Sequence, residues 1–147
     1  MISSIQDWFK AQFEEQNNTP EHSIELATAV LLYEVMRADD KFAQQEHDIY
    51  LEQLKQHFTL SHAELDALTK LTEKQSDNAA DYHQFTSVIN NMYEAEQKRA
   101  LLDSLWAVAY ADHELSPHED YTIRKIADLL YIPHSQFIQS KLSLQPD

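Results

Sequence analysis

Two segments of the chain are apolar on nearly every face of a helix, and this feature constrains the fold more than any other. The first covers residues 24–36 and the second residues 96–110. A helix that is hydrophobic all round is buried on all sides, so each segment predicts a central helix surrounded by others. No segment alternates apolar and polar residues for long enough to predict a strand. The chain is therefore predicted to be all-α.

Amphipathic stretches with apolar residues three and four positions apart predict the outer helices. They begin near residues 45, 61, 80, 117 and 134, and the last of them carries Phe137, Ile138 and Leu142. Residues 1–16 form another such stretch, whose apolar face consists of Ile2, Ile5, Trp8, Phe9 and Phe13. Docking on the protein body and lying on a membrane surface are the two explanations of that face. The prediction is seven to eight helices in a single domain spanning residues 1–147.

Polar residues mark where these helices begin and where the chain divides. Thr19 precedes Pro20 as a predicted N-cap, and Ser61 with Glu64 has the Ser-x-x-Glu form of a capping box. Residues 75–78 are the most polar stretch of the chain and are predicted as the boundary between two halves. The halves would cover about residues 20–75 and 80–142.

The two buried segments are followed by related acidic loops. In both loops an Ala-Asp pair closes the helix, a hydrophobic residue lies three positions after the Asp, and a Glu follows four positions later. The acids are Asp39 and Glu46 in the first loop and Asp112 and Glu119 in the second. The similarity continues into the following helix with a shift of one residue. It predicts two helix–loop–helix repeats related by a pseudo-two-fold axis.

The four acids have a structural and a functional interpretation. An Asp at the negative end of a helix needs compensation, which an Asx-type hydrogen bond or a bound cation would supply. Glu119 would form a capping box with Ser116, or it would join Asp112 as a ligand. Carboxylate oxygens favour calcium, magnesium or manganese. Asp39, Glu46, Asp112 and Glu119 are therefore the predicted metal-site residues.

Histidines near the second loop offer a different kind of site. His113, His118 and His134 surround it, so with Asp112 or Glu119 they would bind zinc or another transition metal. Eight histidines in 147 residues also produce a loose cluster by chance. No His-Glu-x-x-His motif and no Gly-x-Ser-x-Gly motif occurs, so neither a zincin nor a serine-hydrolase mechanism is predicted.

Composition excludes several classes of function. The net charge of −14 opposes binding to nucleic acid and to anionic lipid. The chain has no glycine, which excludes phosphate-cradling loops and dinucleotide fingerprints, and no cysteine, which excludes disulfides and thiolate sites. No apolar run reaches about 18 residues, and the amino terminus has no signal-peptide pattern. A cytoplasmic protein without membrane insertion is expected.

The second loop and its surroundings resemble a known family. An Ala-Asp-x-x-Leu-Ser-x-x-Glu motif follows a buried helix and precedes an Ile- and Leu-rich helix and a Tyr-Ile-Pro link, as in the TerB (tellurite-resistance protein B) family. The family usually has glycine after the Asp, where this chain has Asp40 and His113. The resemblance implies a bacterial all-helical domain in tellurite or stress response, often beside membrane partners. It also implies a negatively charged face suggested to bind divalent metal, and no established reaction.

Two functions follow as hypotheses. The first is an acidic adaptor module that binds protein partners, including membrane-associated ones, and that takes a divalent cation at its two Asp and Glu loops. The second is a metal-dependent enzyme that uses both loops together. No catalytic residue is predicted, and the oligomeric state is left open.

Overall fold

The computed structural model of the protein describes residues 20–38, 44–78, 82–112 and 114–146, without the side chains of residues 20–23, 77 and 78. Seven helices and no strand occur in these residues, so the all-α prediction is confirmed. The helices are α1 (Pro20–Met36), α2 (Gln44–His57), α3 (His62–Asn78), α4 (His83–Met92), α5 (Ala95–Ala109), α6 (Pro117–Leu129) and α7 (His134–Leu144). The predicted helix in residues 1–16 and the N-cap Thr19 lie outside the described residues.

Helices α1 and α5 form the centre of the domain, as their all-round apolar sequences predict. Helix α1 packs against α2, α3, α4, α5 and α6, and α5 also packs against α2, α6 and α7. Leu31 on α1 and Leu105 on α5 are among the fully buried side chains. A helix with neighbours on several sides has few positions left for polar residues. The division of the domain into two repeats stays a prediction.

The polar stretch at residues 75–78 is helical, and its role as the boundary between two halves stays a prediction. It forms the last turn of α3, which ends at Asn78. Ser76 is buried and donates a hydrogen bond to the Glu34 carboxylate on α1. This contact joins residues 42 positions apart, so polarity along the sequence does not reveal it.

The end of α6 places a tyrosine in a conformation that glycine usually adopts. Tyr131 has a φ of 59°. The Tyr131 N–H donates to the Asp128 carbonyl at 3.1 Å, and the Ile132 N–H donates to the Ala127 carbonyl at 3.1 Å. These are the two hydrogen bonds of a Schellman motif, whose left-handed residue is most often glycine. A chain without glycine closes this helix with tyrosine instead.

The Tyr131 backbone can be tested by comparing two substitutions. Tyr131→Gly and Tyr131→Ala both remove a ring that is 80% exposed and lies 5.8 Å from the Lys98 ammonium. The left-handed conformation costs alanine about 1 kcal/mol, whereas glycine adopts it without this cost. We expect the glycine variant to be the more stable of the two by about that amount in urea denaturation. Equal stabilities would show that the left-handed backbone carries no cost.

Helices α2 and α5 meet through a polar contact at His57. Ser104 donates to the Gln53 side-chain oxygen at 2.7 Å, and its hydroxyl oxygen lies 2.7 Å from His57 Nε2. Because the single Ser104 proton is used by Gln53, the assigned arrangement has His57 Nε2–H as the donor to Ser104. The pKa of His57 is lowered by burial.

This lowered pKa predicts a loss of stability in mild acid. Below the ordinary His pKa of about 6.5 the unfolded chain binds a proton that the folded protein still excludes. The free energy of unfolding should therefore fall as the pH drops from about 6.5 towards the folded-state pKa of His57. Urea denaturation between about pH 7 and 5 measures the free energy of unfolding of the wild type and of His57→Gln. The same pH dependence in both proteins would contradict a role for His57.

Candidate functional site

The predicted capping box of the second acidic loop is present at the start of α6. The Ser116 Oγ accepts from the Glu119 N–H at 3.1 Å, and Glu119 Oε1 accepts from the Ser116 N–H at 2.9 Å. Pro117 occupies the first helical turn, where its missing N–H leaves no hydrogen bond unmade. The sequence Ser-Pro-x-Glu therefore starts the helix by satisfying two backbone donors.

The two glutamates of the predicted metal site are both interior residues. Glu119 and Glu46 each have 0% exposure, and they lie in the first turns of α6 and α2. Both have interaction partners within the protein. Negative charge in a first helical turn is favoured by the positive end of the helix dipole. Both positions are therefore electrostatically favourable for a carboxylate without a bound ligand.

Asp112 shapes the loop that follows α5. Its Oδ1 accepts from the Glu114 N–H at 3.1 Å, which is a hydrogen bond to a backbone donor two residues ahead. This is the predicted Asx-type bond, and it compensates a carboxylate placed after the negative end of a helix. The related residue Asp39 lies outside the described residues.

The predicted metal ligands do not form a compact group in the described part of the chain. No three His, Asp or Glu side chains there are arranged to hold a metal ion. His118 is exposed in the first turn of α6, and His134 is exposed at the start of α7, where its ring stacks 5.8 Å from Phe137. His113, like Asp39, lies outside the described residues. The metal assignment stays a prediction.

A cleft beside the start of α6 is a candidate binding site. Its volume is about 360 Å³. It is lined by Leu115, Ser116, Pro117, Asp120, Tyr121 and Arg124. Tyr121 is 64% exposed, and Leu142 on α7 is 61% exposed. We call the cleft together with Lys141 and Leu142 the α6–α7 surface.

An ion pair joins the two helices of this surface. The Lys141 ammonium lies 2.6 Å from Asp120 Oδ2, and Arg124 Nη2 lies 3.5 Å from Asp120 Oδ1. The exposed Tyr121 follows Asp120 in sequence, and the exposed Leu142 follows Lys141. Two cations on different helices thus share one carboxylate.

Aromatic residues support the α6–α7 surface from inside. Trp106 is fully buried, with its ring centre 5.8 Å from Tyr110 and 5.3 Å from Phe137. The Lys141 ammonium lies 5.7 Å from the Trp106 ring centre. Burial, and then the nearby Asp120 charge, raise the pKa of Tyr110, so its hydroxyl stays protonated and donates to the Lys141 carbonyl at 3.3 Å. These contacts hold α7 against α5.

The sequence patterns of α6 and α7 do not indicate this surface. The apolar stripe of α6 contains Ile123 and Ile126, and Tyr121 lies off that stripe. A large aromatic residue outside the buried stripe is the signal that would have indicated it. The apolar residues of α7 include Phe137 and Leu142. Phe137 is buried, whereas Leu142 is exposed.

Comparison with known proteins identifies the family. The model of the family described as "Tellurite resistance protein TerB" matches residues 25–142. Neither a search of the curated proteins nor a search of the solved structures gives a match. None of the seven helices in the described residues has the length and apolar character that crossing a membrane requires. Because the family match covers most of the 147 residues, the chain belongs to the TerB family.

Proposed function

We propose that this TerB domain is an adaptor module in tellurite or stress response, and that it binds a protein partner through the α6–α7 surface. The observation that carries the proposal is the exposed ring of Tyr121, which lines the cleft beside the Asp120 ion pair, together with exposed Leu142, which follows Lys141 of that ion pair in sequence. Single exposed hydrophobic residues are normal on proteins. Tyrosine and arginine are two of the residue types that are enriched in the hot spots of protein interfaces.

Growth on tellurite tests this proposal. A tellurite-resistant host from which the gene for this chain has been deleted would be complemented with the wild type or with Tyr121→Ser/Leu142→Ser. We expect the double variant to keep the wild-type melting temperature and to lose most of the complementation, because both side chains are on the surface. Tyr131→Ser is the matched control, since Tyr131 is also exposed but lies at the other end of α6. Full complementation by a folded double variant would contradict the proposal.

A second candidate is binding of a divalent cation at the loop before α6, which Asp112 and Glu119 flank. Oxygen ligands of this kind suit calcium, magnesium or manganese. The metal-dependent enzyme hypothesis rests on the same cation.

Thermal unfolding after EDTA treatment and after cation addition tests the second candidate. A cation present at about 100 times its dissociation constant would stabilise the fold by about 2.7 kcal/mol, and Asp112→Asn would abolish the rise in melting temperature. An unchanged melting temperature with calcium, magnesium and manganese would contradict both cation binding and the metal-dependent enzyme.

A further inference from the structure

The α6–α7 surface combines a cleft that is partly apolar with two cations, Arg124 and Lys141, beside one carboxylate, that of Asp120. The chain carries a net charge of −14, and 17 of its 25 acidic residues lie in residues 1–94. Residues 95–147 hold eight acidic and five basic residues, Arg124 and Lys141 among them, so this part of the chain is much less acidic than residues 1–94. At the surface itself these two cations share the single carboxylate of Asp120.

The Arg124 guanidinium is partly exposed and stacks on an aromatic ring, an arrangement that suits binding of a second carboxylate. Its guanidinium carbon lies 5.1 Å from the Phe137 ring centre, and its contact with Asp120 is long, at 3.5 Å. The Arg124 side chain is 48% exposed, so donors of the guanidinium remain accessible to solvent. A guanidinium stacked on an aromatic ring has already lost part of its conformational freedom, which lowers the entropy cost of binding a partner.

We infer that the α6–α7 surface recognises an acidic amphipathic segment of a partner protein, with an apolar side chain in the cleft and a neighbouring Asp or Glu on Arg124. This rests on the proposed adaptor function and specifies its partner. The cleft volume of about 360 Å³ suits side chains rather than a folded domain. The rest of the protein is acidic and repels an acidic segment, so binding at other surfaces is disfavoured. This repulsion contributes to specificity.

Fluorescence anisotropy with two labelled peptides tests this inference. The first probe is a 16-residue amphipathic peptide of Leu, Ala and Glu, and the second has Lys in place of every Glu. We expect the full-length protein to bind the Glu peptide and Arg124→Glu to weaken that binding by about tenfold or more, because the carboxylate then meets a like charge. Tyr121→Ser should weaken it several-fold by removing one wall of the cleft.

Lys70→Glu is the control for charge reversal, since Lys70 is exposed on α3 and pairs with Asp66 as Arg124 pairs with Asp120. It should leave the affinity for the Glu peptide nearly unchanged. Equal or tighter binding of the Lys peptide, or an undiminished affinity in Arg124→Glu, would overturn the inference. Binding of phosphatidylglycerol vesicles that depends on Tyr121 and Arg124 would also overturn it, because the ligand would then be a lipid surface. A different outcome is that Tyr121→Ser/Leu142→Ser loses complementation but the protein shows no preference for the Glu peptide. That outcome would support the adaptor function and would exclude an acidic segment as its partner.

Discussion

We expect Trp106→Ala to lower the free energy of unfolding by about 3–5 kcal/mol, the range measured for removing a large aromatic side chain from a packed core. Trp106 has 0% exposure and contacts Tyr110 and Phe137. Alanine leaves a void that these neighbours fill only in part. The loss would be a large fraction of the stability of a domain of this size, which is on the order of 5–15 kcal/mol.

Urea denaturation followed by far-UV circular dichroism measures this loss, with Leu142→Ala as the control. Leu142 is 61% exposed, so its truncation should change the free energy of unfolding by less than about 0.5 kcal/mol. Because Trp106 holds α7 against α5, the Trp106 variant should also disturb the α6–α7 surface. A cost for Trp106→Ala close to that of Leu142→Ala would contradict the central packing of α5.

Glu119→Ala should lower the free energy of unfolding by about 2–3 kcal/mol, well above the cost of Glu64→Ala, about 0.5–1 kcal/mol. The two glutamates close capping boxes of the same geometry, in which the serine N–H donates at 2.9 Å to Glu119 and at 2.8 Å to Glu64. Their burial differs, since Glu119 has 0% exposure and Glu64 is only half-buried. Alanine at position 119 adds a cavity and removes a buried acceptor from Ser116.

Glu119→Gln separates the capping role from a charged ligand role. Glutamine keeps an oxygen for the Ser116 N–H, so the free energy of unfolding should fall by only about 1 kcal/mol or less. Urea denaturation of the three variants measures the differences. Equal losses from Glu119→Ala and Glu64→Ala would show that the burial of Glu119 contributes nothing.

Local features of the fold could be predicted from the sequence because their partners lie close along the chain. The buried character of α1 and α5 follows from apolar residues on every helical face, and Ser116 and Glu119 are only three positions apart. The Asx bond of Asp112 reaches two residues ahead, and it was one of the two compensations predicted for this carboxylate.

Features that depend on distant partners could not be predicted in this way. Helix α3 continues to Asn78, and in its last turn Ser76 contacts Glu34 on another helix. The α6–α7 surface depends on Lys141 meeting Asp120, 21 positions earlier. The full burial of Glu46 and Glu119 likewise depends on packing, and a carboxylate in a first helical turn is usually exposed. The sequence patterns therefore predicted a site at the acidic loops and gave no indication of the α6–α7 surface beside them.

The most direct test of the proposed function compares the surface with the loop in one growth assay on tellurite. The surface variant is Tyr121→Ser/Leu142→Ser and the loop variant is Asp112→Asn/Glu119→Gln, each first shown to be folded by its thermal transition. If the α6–α7 surface carries the function, the surface variant fails to restore growth and the loop variant restores it. Growth restored by the surface variant but not by the loop variant would contradict this account and assign the function to the acidic loop.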